Sequence, residues 1–154
     1  MPDFSDRVRA AANFEVAGEQ TRLFATIGKV REDAIRTNNL SSSRVAVAIM
    51  EACVNSFRKC GEIIWTTCAH ELRSDVFYVL GCSEKEIIEN LSVLLDNLLR
   101  FHIEAFNVDA ENVISNLGMS LDKWHEPIYV ARVQAEQQYE MQVKQLFSLA
   151  RGNI

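Results

Sequence analysis

Residues that break regular structure are scarce in this chain, with two prolines and six glycines among 154 residues. That scarcity excludes folds assembled from many short elements. A β-sandwich, for example, needs a turn signal about every 8–12 residues. Long apolar runs are missing too. None approaches the roughly 18 residues that read as a membrane-spanning helix, so no membrane span is expected. The first residues, Met1-Pro2-Asp3-Phe4-Ser5-Asp6, carry neither the basic nor the apolar region of a secretory signal. A cytoplasmic location, where thiols stay reduced, is the expectation from this.

Positive charge is in short supply: the net charge is −5. An acidic chain repels phosphate backbones, so nucleic acid is not an expected partner. The surplus is concentrated between residues 83 and 117. There Glu84, Glu86, Glu89, Asp96, Glu104, Asp109 and Glu111 stand against Lys85 and Arg100, a local excess of five acids. A solvated helix face explains such a run, and a docking face for a basic partner is the sharper reading.

Catalytic signatures are absent as well. The sequence contains no glycine-rich phosphate loop and no Gly-x-Ser-x-Gly elbow. Di-metal bundles need Glu-x-x-His on two helices. Here the residues three before His70, His102 and His125 are Thr67, Leu99 and Asp122. Glu86 and Glu89 share a helix face, but a Mg-dependent hydrolase would need a second acidic pair, and Glu136 and Glu140 have the wrong spacing. No motif implies a cofactor or a metal, and an enzyme is not the expected role.

What the chain does have is helical periodicity. Val8, Ala12, Val16, Leu23, Ile27, Val30 and Ala34 recur at steps of three, four or seven, the spacing of one α-helical face. Phe14 and Phe24 are expected to widen that stripe, and Glu32 and Arg36 to pair on its surface. Val45, Ile49, Cys53, Phe57, Cys60, Ile64, Cys68 and Leu72 continue the period in the most apolar segment. Ser83-Glu84-Lys85-Glu86 is a capping box opening a third stripe from Ile88 to Leu117. A fourth runs from Ile128 through Ala131, Ala135, Tyr139, Val143 and Leu146, with a flank rich in Gln and Glu. Pro127 suits the first turn of that helix, after an irregular stretch that holds Trp124.

The expected fold is therefore all-α: one domain over 1–154, an elongated antiparallel (up-down-up-down) four-helix bundle with helices near 4–37, 43–80, 84–117 and 127–150. A break at Gly28, Gly61 or Asn107 would convert it to a more globular packing of five or six helices.

Several residues stand out as candidates. Cys53, Cys60 and Cys68 are seven and eight residues apart on the apolar stripe; zinc sites and redox dithiols use shorter spacings, so they read as small hydrophobes. Cys82, between Gly81 and a helix start, is the candidate reactive thiol. His102 falls on the stripe of the third helix. It reads either as a core histidine or as a ligand to haem or metal. Trp124, Tyr129 and Tyr139 are candidate interaction residues, because buried aromatics anchor interfaces.

The expected function is that of a non-enzymatic helical interaction protein, an adaptor, regulator, coat or scaffold. Its partner would be another protein or itself, with a homo-oligomer anticipated from the narrow stripe of the fourth helix. The alternative is a ligand-binding or sensor bundle holding a haem, metal or apolar molecule near His102.

Overall fold

The structure is a computed structural model that describes residues 4–38, 42–74, 81, 83–116 and 120–152. It is an all-α four-helix bundle. The helices are α1 (Phe4–Arg36), α2 (Ser43–Ser74), α3 (Glu84–Asn116) and α4 (Leu121–Gly152). Each has 32 or 33 residues, which at 1.5 Å per residue makes it about 50 Å long. None is long and apolar enough to cross a membrane. The expected continuation of the second helix to Leu80, the Gly118 cap and Cys82 lie outside the described residues.

The helix ends follow from local chemistry. At the end of α1, Asn38 takes the left-handed region at φ 61°, a conformation asparagine tolerates better than most residues. The Thr37 N–H donates to the Asp33 carbonyl at 3.0 Å, which satisfies one of the helix's last free acceptors. Ser42 caps α2, its hydroxyl accepting from the Arg44 N–H at 3.2 Å. The Ser83 half of the capping box forms at the start of α3, where its hydroxyl accepts from the Glu86 N–H at 3.2 Å. The helices run unbroken through Gly28, Gly61 and Asn107.

Side-chain pairings give the helix directions. Ser56 in α2 faces His102 in the second half of α3, while Ser92 and Asp96 in the first half of α3 reach Glu136 and Arg132 in α4. Both pairs are antiparallel. Arg31 late in α1 meets Asp109 late in α3 at 2.7 Å, so those two run parallel. The ring of four is open. Among the described residues α1 does not touch α4, whereas α2 touches all three other helices. The core therefore centres on α2, with Ile49, Cys53, Phe57, Cys60 and Cys68 fully buried. Its small residues let three neighbours approach.

Three local expectations are corrected. Phe14 is 88% exposed and widens no stripe; it lies on the opposite side of α1 from Val8, Ala12 and Leu23. Phe24 is half exposed and turns its edge toward Phe101 of α3, centroid to centroid 5.8 Å. Arg36 pairs with Asp33, one turn back at 3.0 Å, and not with Glu32.

The fourth helix begins at Leu121, not near 127, and places Pro127 inside it. A proline there leaves the Lys123 carbonyl without its helical donor, a defect of about 3 kcal/mol in a helix interior. Both residues are exposed, so water can serve that carbonyl. The extra turns bury His125 and half-bury Trp124 and Leu121. Those tertiary contacts outweigh the local penalty.

An added Cβ at Gly18 or Gly28 would meet nothing within 4 Å. Since alanine is favoured over glycine in a helix interior by about 1 kcal/mol, Gly18→Ala and Gly28→Ala should each raise the free energy of urea unfolding by roughly that amount. A drop for either would show that α1 bends at that glycine.

Candidate functional site

His102 is completely buried. Its Nδ1–H donates to the Leu98 carbonyl at 2.7 Å, one turn back in α3. That carbonyl can only accept, so the proton sits on Nδ1, and Nε2 accepts from the Ser56 hydroxyl at 3.0 Å. The edges of Phe57 and Phe101 close over the ring at centroid distances of 5.7 and 5.2 Å. Both nitrogens are thus engaged inside the chain, and an axial bond from Nε2 to a metal would have to displace Ser56. Burial pushes the His102 pKa below its ordinary 6.5, and the Leu98 bond opposes this in part.

The three cysteines of α2 line the same core. Burial raises the thiols of Cys53 and Cys68 to about 12 and that of Cys60 to about 11. At neutral pH they are un-ionised and poor nucleophiles. Among the described residues no group of three His, Cys, Asp or Glu side chains is placed to hold a metal ion.

Tyr139 belongs to the core. It is 4% exposed, donates its hydroxyl to the Gly61 carbonyl and stacks on Trp65 at 5.8 Å. It is the point where α4 seats against α2.

Trp124, His125 and Tyr129 come together on the first turns of α4. Trp124 is half-buried, stacked on Phe106 at 6.5 Å and 24°, and among the described residues its buried indole N–H has no hydrogen-bond partner. An unmet buried donor of this kind costs about 1–3 kcal/mol. His125 lies beside it, with Nε2–H donating to the Asn107 side-chain oxygen at 2.7 Å. Its ring is edge-on to Phe106 and Tyr129. Desolvation lowers its pKa, with Asp122 opposing. Tyr129 remains 47% exposed.

These turns are flanked by two hollows. On one side runs a groove between α2 and the parallel α4. Its upper part, about 430 Å³, is lined by Val47, Met50, Val54, Trp124 and Pro127. Past Arg58 it continues as a space of about 420 Å³ over Gly61, Trp65, Ala131, Ala135 and Tyr139, edged by Gln134, Gln138 and Gln142. On the other side is a shallower hollow of about 490 Å³ around Tyr129, Val130 and Val133. Val130 and Val133 are 46% and 50% exposed. Sequence reading overlooked this second apolar stripe of α4 because it lies within the Gln/Glu-rich flank. The signal was present: Val130, Val133 and Met141 fall at helical spacing opposite Ala131, Tyr139 and Val143.

Arg132 fixes the register of α3 against α4. It donates to Asp96 at 2.9 Å and pairs with Glu136, which in turn accepts from the Ser92 hydroxyl at 3.1 Å. Network geometry of this kind carries more than isolated surface pairs do. No family model, curated protein or solved structure matches the chain.

Two outcomes follow from this chemistry. A buried histidine whose folded pKa is depressed costs stability once the unfolded chain begins to take up the proton. The free energy of unfolding should be flat between about pH 7 and 8; above that the buried thiols, whose pKa is raised in the fold, make it fall as the unfolded cysteines ionise. It should fall as pH drops below 6.5 toward the folded-state values, and the fall should be shallower in His102→Gln. Urea titrations at stepped pH measure this, and a flat profile down to pH 5 would contradict the burial of both rings. Second, the folded protein should show at most one thiol that reacts rapidly with a disulfide reagent such as Ellman's, Cys53, Cys60 and Cys68 responding only on denaturation. Fast labelling of more than one would contradict their burial.

Proposed function

We propose that this protein works as a helical interaction module, binding another protein chain through the first half of α4. The observation that carries the reading is the cluster of exposed apolar side chains there, Tyr129, Val130 and Val133, beside the α2/α4 groove with Trp124 in its wall. Apolar residues grouped around a concavity are what interaction sites present to solvent. An amphipathic helix laid in the groove would reach its apolar floor and find the glutamine rim ready to hydrogen-bond. The adaptor, regulator, coat and scaffold roles all rest on this one property. The reading of His102 as a cofactor ligand has no comparable support, since the ring's two nitrogens are already bonded to Leu98 and Ser56.

The test is site-specific photo-crosslinking in the cells the chain comes from. With benzoylphenylalanine in place of Tyr129, irradiation should produce a protein adduct, its own chain or another. The same group in place of exposed Ala25 on α1 should produce none. If position 129 gives no adduct, or position 25 gives the same adducts, the interaction reading fails.

A further inference from the structure

α4 has a second face, turned away from its own bundle. Glu126, Val130, Val133, Gln137, Met141 and Lys144 follow one another at steps of four, three, four, four and three, and all six are exposed. That spacing holds them on one side of a helix. Tyr129 and the half-buried Glu140 flank the stripe along one edge, and Val130 and Met141 form the other. Among the described residues no helix of the same chain covers this face, because α4 packs only on α2 and α3. The charges are ordered. An acid stands at the N-terminal end and a lysine at the C-terminal end. Neither Glu126 nor Lys144 is engaged in an ion pair within the described residues.

That order decides what the face can meet. A parallel copy would set Glu126 against Glu126 and Lys144 against Lys144, and like charges juxtaposed across an interface are disfavoured. An antiparallel copy reverses one strip against the other. Glu126 and Lys144 each lie nine residues from Ala135, so a two-fold axis crossing the outward seam at the level of Ala135 brings Glu126 of one copy to Lys144 of the other, twice.

The rest of the face agrees with the same register. A two-fold axis perpendicular to the helices keeps each edge of the stripe beside the same edge of its partner. On one edge Val130 then meets Met141 of the second copy. On the other the Tyr129 hydroxyl can donate to the Glu140 carboxylate. At the centre Val133 lies beside Gln137. The two helix dipoles are opposed, which is the favourable sense for neighbours.

We propose that the outward face of α4 pairs with the same face of a second copy, antiparallel, in an isologous dimer registered by Glu126 and Lys144. This rests on the interaction reading and names its partner as the chain itself. The seam covers about five helical turns. It is smaller than a standard stable interface, so the dimer is in exchange with monomer and dissociates on dilution.

Sedimentation velocity on the full chain over a wide concentration range tests this, alongside thermal unfolding to confirm that each variant folds. All the substituted side chains are exposed, so folding is not at stake. The wild-type protein should show a monomer–dimer equilibrium. Glu126→Lys alone and Lys144→Glu alone should each raise the dimer Kd by roughly ten-fold or more, since each sets two like-charge contacts in the seam. The double variant Glu126→Lys/Lys144→Glu should return it to within about three-fold of wild type.

A dimer indifferent to the single reversals, or not rescued by the double one, overturns the register. A chain that stays monomeric throughout, while position 129 still cross-links to another protein, overturns self-pairing and leaves the interaction reading standing. If there is neither dimer nor adduct, both fall.

Discussion

The packing of α2 against three neighbours at once is the constraint on which the rest of the structure depends. A helix in that position must be apolar over more than half its circumference and narrow enough for close approach. Its buried residues meet both conditions: large ones such as Ile49, Phe57 and Leu72 alternate with Ala46, Ser56, Gly61, Ala69 and the cysteines. The thiols are thus explained by volume. They fill space where a leucine would push a neighbouring helix away, and burial in turn silences their chemistry. Ser56 is the polar exception among the buried residues of α2, and it answers His102 across the α2/α3 seam. A buried imidazole with both nitrogens bonded sets those two helices in register without leaving a polar group unmet.

From that central packing the asymmetry of the bundle follows. Because α2 reaches α4 as well as α3, with Tyr139 seated on the Gly61 carbonyl, α4 is drawn to the α2 side and, among the described residues, does not close against α1. Two consequences bear on function. The parallel helices α2 and α4 enclose a groove with an apolar floor, and among the described residues the far side of α4 is left uncovered. Both surfaces belong to the same helix, and both begin at the turns carrying Trp124 and Tyr129. The proline there is tolerated for the same reason. The turns before it are held by the stacking of Trp124 on Phe106 and the bond from His125 to Asn107. Ordered contacts on one side and solvent on the other make a helix with a missing hydrogen bond the better solution.

Comparison of particular residues shows what was legible beforehand. The stripes of α1, α2 and α3 and the Ser83 cap are local properties of the chain, and periodicity reports them directly, whereas a break at Gly28, Gly61 or Asn107 stays open in the sequence and only the structure shows the helices running through. His102 and the cysteines of α2 fall on apolar stripes and lie in the core, although the sequence leaves His102 open between a core histidine and a ligand. Phe14 was misplaced because a large hydrophobe near an apolar stripe looks as if it belongs there, although its helical angle puts it on the opposite side. Tyr139 falls on the apolar stripe of the fourth helix, and the sequence offers it as an interaction candidate. Its burial depends on the Gly61 carbonyl, which is 78 residues away in the chain and is brought close only by packing. The start of α4 was missed because local rules favour a boundary at Pro127, and nothing local announces Phe106 and Asn107 waiting across the gap.

The sequence by itself determined the class of the fold and most of the core-facing stripe of each helix, because hydrogen bonding and amphipathic spacing act within one segment at a time. It also determined the acidic balance and the absence of known catalytic motifs. The tertiary structure alone decided which helices touch, that among the described residues the ring stays open between α1 and α4, that Pro127 lies inside a helix, and which apolar residues remain in water. Those outcomes come from competition between segments for buried surface. Its result depends on the shapes of all four helices together, and no single stripe carries that information.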